Sequence, residues 1–456
     1  MANTRLGGVF MKDTDGNIAR GSAESTENIC GIIFDINGFE VDLAGTQFAN
    51  GTVVELNTTK DIETAGITKT LMGGLVDYHI RMFFSLAGQN KRLFVSFMNS
   101  ETDAEFEAIQ LLQSAADGLI YQIGVWTAQP TAKIKDASKS KEASTLTADD
   151  YEMTGLYGKL QAVAETLGGK IGEVNYDGNS PINIIINAPV VSDLTMNYQN
   201  LPDISELDLP KLSHILGQES SDGVHAIQAS LITSLGGSKM AVVGNIGAAM
   251  GVLAVAPADI SIAYVKNYNL AGVMQSCELG FGEIAVEGGK FTASSAFNNI
   301  RSITYSKRND KLHAKGYIFL TPIEGIANGV FFSSDQTLST GDYRTISRCR
   351  VMHKSRRVVR QALLAKVNAP VLLDTDTGEM SASDIASYQN LVLEALDNNM
   401  YEPGTTTPQI SGRSCYIEPN QNILANDKID IEYWLVPIGC TSAIFVTEGF
   451  VGSVSE

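Results

Sequence analysis

Cysteine is scarce in this 456-residue sequence: Cys30, Cys277, Cys349, Cys415 and Cys440 are five in all, with no CxxC among them. An odd, scattered set argues against a disulfide framework or a zinc ribbon and makes a reducing compartment the default. The five histidines, His79, His214, His225, His313 and His353, form no HExxH and no pair at ligand spacing, so no metal site is expected. Long apolar runs are missing too. The longest, 240–257, is rich in Gly and Ala and too short to span a bilayer comfortably, and the first residues lack the apolar run of a signal peptide. Basic residues are few: 33 Lys and Arg stand against 51 Asp and Glu, a formal net charge of −18, which disfavours nucleic acid as a general partner. The expectation is a chain that is soluble when made.

Catalytic signatures are equally thin. There is no Gly-x-Ser-x-Gly elbow, and the glycines of GNIGAAMG (244–251) have the wrong spacing for a dinucleotide fingerprint, so close helix packing is the simpler reading. GGSK (236–239) lacks the first glycine and the spacing of a phosphate loop. The segment VLLDTDTG (371–378) resembles the aspartyl phosphotransferase motif of haloacid dehalogenase-like enzymes, with Gly378 where that family has Thr. That chemistry would make Asp374 a nucleophile and Asp376 an acid/base. The motif lies too near the C-terminus for such a fold to follow it, and a turn leading into a helix explains the same residues. A calcium loop over 374–379 fails on the position of Gly378 and the missing closing Glu.

What is present is an alternation. Residues 1–27 are polar and small, an arm rather than a packed element. Strands are expected over 30–34 (CGIIF), 52–56, 92–98 (RLFVSFM), 119–127 and 182–187 (INIIIN), and helices over 74–86, 103–116 with an Asp103 cap, 148–167 and 239–255. A Lys-, Ser- and Ala-rich link covers 129–144, and 256–301 reads as mixed loops and short strands. A strand pair at 312–320 and 329–332 precedes a long helix, then a second helix over 383–398, and strands at 412–418, 427–437 and 441–451. The fold class is α/β and α+β: a layered α/β domain followed by a C-terminal α+β core, with extended terminal arms. The division is 1–27, an N-terminal arm; 28–300, an α/β region with its link near 129–144; 301–440, the C-terminal core; and 441–456, a terminal strand or arm.

The stretch 341–370, GDYRTISRCRVMHKSRRVVRQALLAKVNAP, opposes the charge of the whole. From Arg344 to Leu373 there are eight basic residues and none of the 51 acidic ones. Met352, Val359, Leu363 and Val367 recur at helical spacing, with Asp342 placed to cap the start. The expected element is an amphipathic helix whose exposed basic face docks on an acidic partner, because such a face repels itself until something neutralises it.

The order of elements resembles that of contractile phage tail sheath proteins and the sheaths of related injection systems. The resemblance is carried by GYIFLTPIEGIANGVFFSSDQTLS, the Asp342-Tyr-Arg start of the Arg-rich helix, SCYIEPN, and IDIEYWLVPIGCTSAIFVTEGFV with Pro437 and Ile444. Upstream, GLVDYHIRMFF, RLFVSF, INIIINAP and VVGNIGAAMGVLAVA extend it. SSDQTLS stands where the family has Gly-x-Arg-Thr-Leu, a divergent feature. The resemblance implies a non-enzymatic subunit that polymerises helically around an inner tube and contracts, with no cofactor, no nucleic acid and no membrane partner for the free subunit. Its partners would be itself, the tube protein, and baseplate and tail terminator proteins. It would assemble in the bacterial cytoplasm and reside in a virion tail or injection particle. On this reading Arg350, Lys354, Arg357 and Arg360 face the tube. Arg5, Val9 and Met11, with Phe445, Thr447 and Phe450, belong to arms that add strands to a neighbour's sheet. The alternatives are a cytoplasmic α/β phosphotransferase using Asp374 and Asp376, and a non-contractile virion or surface-layer protein.

Overall fold

The computed structural model describes residues 11–12, 29–136, 148–171, 173–175, 180–191, 201–216, 218–219, 221–237, 239, 241–274, 277–278, 286–287, 290–291, 312–323, 325–326, 329–374, 377–401, 408–421, 423–441 and 444. In chain order its main elements are β1 (Cys30–Asp35), β2 (Val54–Leu56), α1 (Leu75–Ala87), β3 (Leu93–Met98), α2 (Glu107–Ala115), β4 (Gln122–Trp126), α3 (Leu156–Gly168) and β5 (Asn183–Asn187). Then follow β6 (Leu212–Ile215), α4 (Asp222–Ser234), α5 (Ile246–Leu253), β7 (Tyr317–Ile318), α6 (Ile346–Leu364), α7 (Ala382–Leu396), β8 (Ile410–Ile417) and β9 (Ile431–Pro437).

Seven strands form one sheet in the order β7-β6-β5-β4-β1-β3-β2. All neighbours are parallel except the edge strand β2, which runs antiparallel to β3. β1, β3, β4, β5 and β6 are buried along their whole length, which is why most of them read as near-continuous apolar runs rather than alternating ones; β6, with Ser213 and His214, is the exception. Side chains alternate across the sheet, so Gly31 and Gly124 lie on opposite faces: Leu112 of α2 meets the first, Ile246 and Met250 of α5 the second. Helices therefore cover both faces.

α5 is buried at every position, and its seat depends on two glycines. A Cβ at Gly124 would lie 2.7 Å from Ile246, and a Cβ at Gly247 would lie 2.2 Å from the backbone oxygen of His79 in α1. The glycines of GNIGAAMG thus serve helix packing. Behind them His79 donates from Nε2 to the Val243 carbonyl (2.9 Å), while its Nδ1 accepts from the Gly247 N–H (3.2 Å). His214 donates from Nε2 to Ala188 O (3.0 Å) and accepts from the Tyr157 hydroxyl at Nδ1 (2.6 Å). Both rings are neutral and fully satisfied.

A second apolar cluster lies C-terminal to the sheet. Val351, Val359 and Leu363 of α6 pack there with Tyr388, Val392 and Leu396 of α7 and with Ile410, Ile417 and Leu435 of the β8–β9 hairpin. Met352 packs against its margin.

Several expectations are corrected. The segment expected to open a helix at 148 instead forms Tyr151–Met153, a strand paired with Ala132–Ile134, so the link at 129–144 starts inside the packed body. Leu212–Ile215 is a sheet strand that the sequence reading passed over. α2 starts at Glu107 rather than 103, although the Asp103 carboxylate still caps the N–H groups of Glu107 and Ala108. α6 is capped by Thr345, whose hydroxyl accepts from Arg348 N, not by Asp342. Tyr317–Ile318, assigned to the C-terminal core, is hydrogen-bonded into the main sheet beside β6. Of the arm residues, Arg5, Val9, Phe445, Thr447 and Phe450 lie outside the described residues, and Met11 belongs to Met11–Lys12, which pairs with Val174–Asn175 of the same chain.

Gly247→Val should destabilise the chain by roughly 3 kcal/mol or more, because the obstacle is backbone and cannot rotate away. Gly158→Ala, on an open part of α3, should instead stabilise by about 0.5–1 kcal/mol. Denaturant midpoints of the two variants would read both effects.

Acid should weaken the fold well before carboxylates titrate. Burial pushes His79 down to about 3 and His214 down to about 4, and holds His353 well below its ordinary range with help from Lys211, Arg357 and Arg356. In the unfolded chain these rings take protons near pH 6.5. Between pH 6.5 and 5 the unfolded state binds protons that the folded state does not. Stability therefore falls with acid at up to about 1.4 kcal/mol per pH unit for each histidine. Urea unfolding across that window should show uptake of two to three protons, and a flat profile would contradict the buried neutral rings.

Candidate functional site

In an open parallel sheet the ligand crevice lies outside the carboxyl ends of the strands, where the chain reverses its winding direction. Here the reversal falls between β1, which leads towards β2 and β3, and β4, which leads towards β5. That crevice is filled by the protein's own side chains. Asp35, at the end of β1, is buried, and its carboxylate accepts from Asn37 N (3.0 Å), Ser100 N (3.1 Å), Ser100 Oγ (2.6 Å) and Thr127 Oγ1 (2.6 Å). Gln129 in turn donates to Ser100 Oγ. The segment 241–243 crosses the same end, held by Trp126 Nε1 on Val242 O (2.9 Å) and by Gln228 Oε1 on Val243 N (2.9 Å). A carboxylate saturated by four donors is an anchor for loops and leaves no group poised for chemistry.

Asp374 is exposed in a tight turn closed by a Leu373–Met380 bridge, and its Oδ1 accepts from the backbone N–H of Thr377 (3.0 Å) and from its hydroxyl (3.3 Å). This is the turn reading of VLLDTDTG; Asp376 lies outside the described residues. Among the described residues no group of three or more His, Cys, Asp or Glu is arranged to hold a metal, and no helix is long and apolar enough to cross a membrane.

The conspicuous site is at the opposite end of the sheet. In a parallel sheet the covering helices run against the strands, so their C-terminal carbonyls gather at the strands' N-terminal ends. None of α1 to α5 carries a basic residue in its last turn. α6 runs beneath this end and supplies cations instead. Arg350 donates to Leu253 O (3.2 Å), Ala256 O (2.8 Å) and Pro257 O (3.2 Å), at and just beyond the end of α5. Arg356 donates to Gly168 O, the last residue of α3. Arg357 donates to Gly118 O (3.3 Å), Ile120 O (2.8 Å) and Pro181 O (2.8 Å), and its guanidinium stacks 3.5 Å from the centroid of the Tyr121 ring. Asn183 Nδ2 on Ile346 O (3.5 Å) and Cys349 Sγ on Pro210 O (3.3 Å) complete the seam.

The exposed basic face expected for this helix is therefore corrected. Arg350 is 0 % and Lys354 1 % exposed, while Arg357 and Arg360 are half-buried. Arg350 and Arg357 each reach three backbone carbonyls of the same chain, a use suited to arginine's forked donors. Arg350→Leu should cost roughly 3–5 kcal/mol, because three buried carbonyls lose their donors. Arg344→Leu, at an exposed position before the helix, should stay within about 0.5 kcal/mol. Urea midpoints of the two variants measure the difference, and equal midpoints would remove the seam's structural role.

Comparison with known proteins gives three kinds of result. The C-terminal part, residues 342–455, matches the family model described as DUF2586, C-terminal domain. A comparison with curated protein sequences returns no match. Among solved structures, the chain is similar to one in the contracted helical sheath of the anti-feeding prophage (TM-score 0.55, 12 % identity, covering 99 % of this chain and 100 % of that one). It is also similar to a chain of that particle's baseplate, six-fold symmetrised (TM-score 0.52, 12 % identity, 98 % and 99 % covered). A third similar chain comes from the contracted PVC sheath complex of an extracellular contractile injection system (TM-score 0.50, 10 % identity, 100 % and 99 % covered). At such identities the likeness is one of fold, and it runs from end to end: this chain has the fold found in contractile sheath assemblies.

Proposed function

We propose that this chain is the structural subunit of a contractile sheath. It polymerises helically around an inner tube and shortens to drive the tube through a target envelope. The observation that carries the reading is the fold likeness over nearly the full length of both chains in sheath and baseplate assemblies. The sealed carboxyl end of the sheet supports it, since the usual place for catalysis in this architecture is occupied by structural contacts. The β8–β9 hairpin supports it as well. Among the described residues its two strands pair only with each other, so one edge of each is open to a further strand. A neighbour's terminal arm added there, by β-augmentation, would link copies into a lattice.

The inner tube, baseplate and tail terminator proteins are the further partners of this reading, with assembly in the bacterial cytoplasm and residence in a tail or injection particle. Arg350 and Lys354 are unavailable to a tube while they remain in the interior; of the four residues, Arg360 is half-buried and keeps part of its surface exposed.

Negative-stain microscopy of concentrated purified protein should reveal long hollow cylinders. Removing residues 1–14 should leave a subunit with an unchanged thermal melt that forms none. Monodisperse globular particles from the intact chain would overturn the sheath reading, and normal cylinders from the truncated chain would overturn the role of the arm.

A further inference from the structure

Met11–Lys12 forms an antiparallel pair with Val174–Asn175 of its own chain, Met11 opposite Asn175 and Lys12 opposite Val174. The segment from residue 1 to 12 is the most basic part of the N-terminal region: it carries Arg5 and Lys12 and no acidic residue, together with Leu6, Val9, Phe10 and Met11. The strand it pairs with follows Glu173 just past the end of α3. Among the described residues this ladder is only two residues long, whereas the open hairpin edges offer eight residues on β8 and seven on β9. A segment with these two alternatives changes partner when the longer edge becomes available, because each added backbone pair favours the longer ladder.

We propose that the Val174–Asn175 strand is a docking place in cis for the N-terminal arm, which holds the arm on the free subunit until the hairpin edge of a second copy displaces it. The inference rests on the sheath reading for the destination of the arm, but not for the docking itself. Docking in cis is intramolecular and independent of concentration, while transfer in trans rises with concentration and with each copy already in the lattice. The contact therefore raises the concentration needed to start a polymer and has little effect on its growth from an existing end.

The test uses Met11→Cys with Asn175→Cys in the full chain, with exposed Cys440 changed to Ser. Directly opposed residues of an antiparallel pair have Cβ atoms about 4.5–5.5 Å apart, near disulfide reach. In dilute monomer, mild oxidation should give an intramolecular cross-link at a rate that does not change with protein concentration. Failure to cross-link, or cross-linking only between copies, overturns the docking whatever the protein assembles into. In concentrated protein the oxidised form should make no cylinders, and reductant should restore them. Val174→Pro, which removes a strand donor, should lower the threshold concentration for cylinders by about tenfold. Cylinders from the oxidised form, or an unchanged threshold in Val174→Pro, overturn the inhibitory role. Absence of cylinders in every form, with the monomer cross-link intact, sinks the sheath reading and leaves the docking standing.

Discussion

Aligned parallel strands impose one electrostatic constraint: the helices between them end together, and their unsatisfied carbonyls collect at one rim of the sheet. In this chain the helices bring no cations of their own to that rim. The arginines of α6 arrive from far along the sequence to fill the need, Arg350 at the end of α5, Arg356 at the end of α3, and Arg357 at the loops entering β4 and β5. Because one helix serves several ends, α6 ties the sheet to the second core, with Ala258 and the Cys440–Asp259 contact adding to the link. The opposite side of α6 is apolar and belongs to the second core, where Val359 and Leu363 meet α7 and the β8–β9 hairpin.

Much of the sheet was legible because buried parallel strands advertise themselves as apolar runs: CGIIF, RLFVSF and INIII need no tertiary information to be seen. Leu212–Ile215 escaped because Ser213 and His214 interrupt its apolar character; His214 is acceptable there only because Tyr157 and the Ala188 carbonyl satisfy both ring nitrogens. The helix α6 was visible in outline and misread in orientation. Charge usually means exposure, a fair rule for lysine-rich surfaces, but guanidinium donors suit a rim of carbonyls and are buried there. One signal in the sequence pointed the right way, namely the lack of Lys or Arg in the last turns of the preceding helices. Asp374 is consumed by its own turn, a bond between neighbours in sequence that no motif comparison registers.

Both rims of the sheet make internal contacts, through Asp35 at one end and the arginines of α6 at the other. Among the described residues the β8–β9 hairpin keeps strand edges open to other molecules. This fits a protein whose relatives in shape are found as repeating parts of large assemblies.

The arginine seam has a consequence for how the molecule responds to salt. Ion pairs between exposed side chains weaken as ionic strength rises, whereas the bonds of Arg350 and Arg357 to backbone carbonyls lie within the chain, where salt reaches them less. That seam is thus shielded from the ionic medium. The exterior is not: all 51 acidic residues lie outside the basic helix, so copies approaching one another meet mutual repulsion that salt relieves. The acidic excess thus becomes a dial by which the surroundings set how closely copies approach one another, while the seam inside each is left in place.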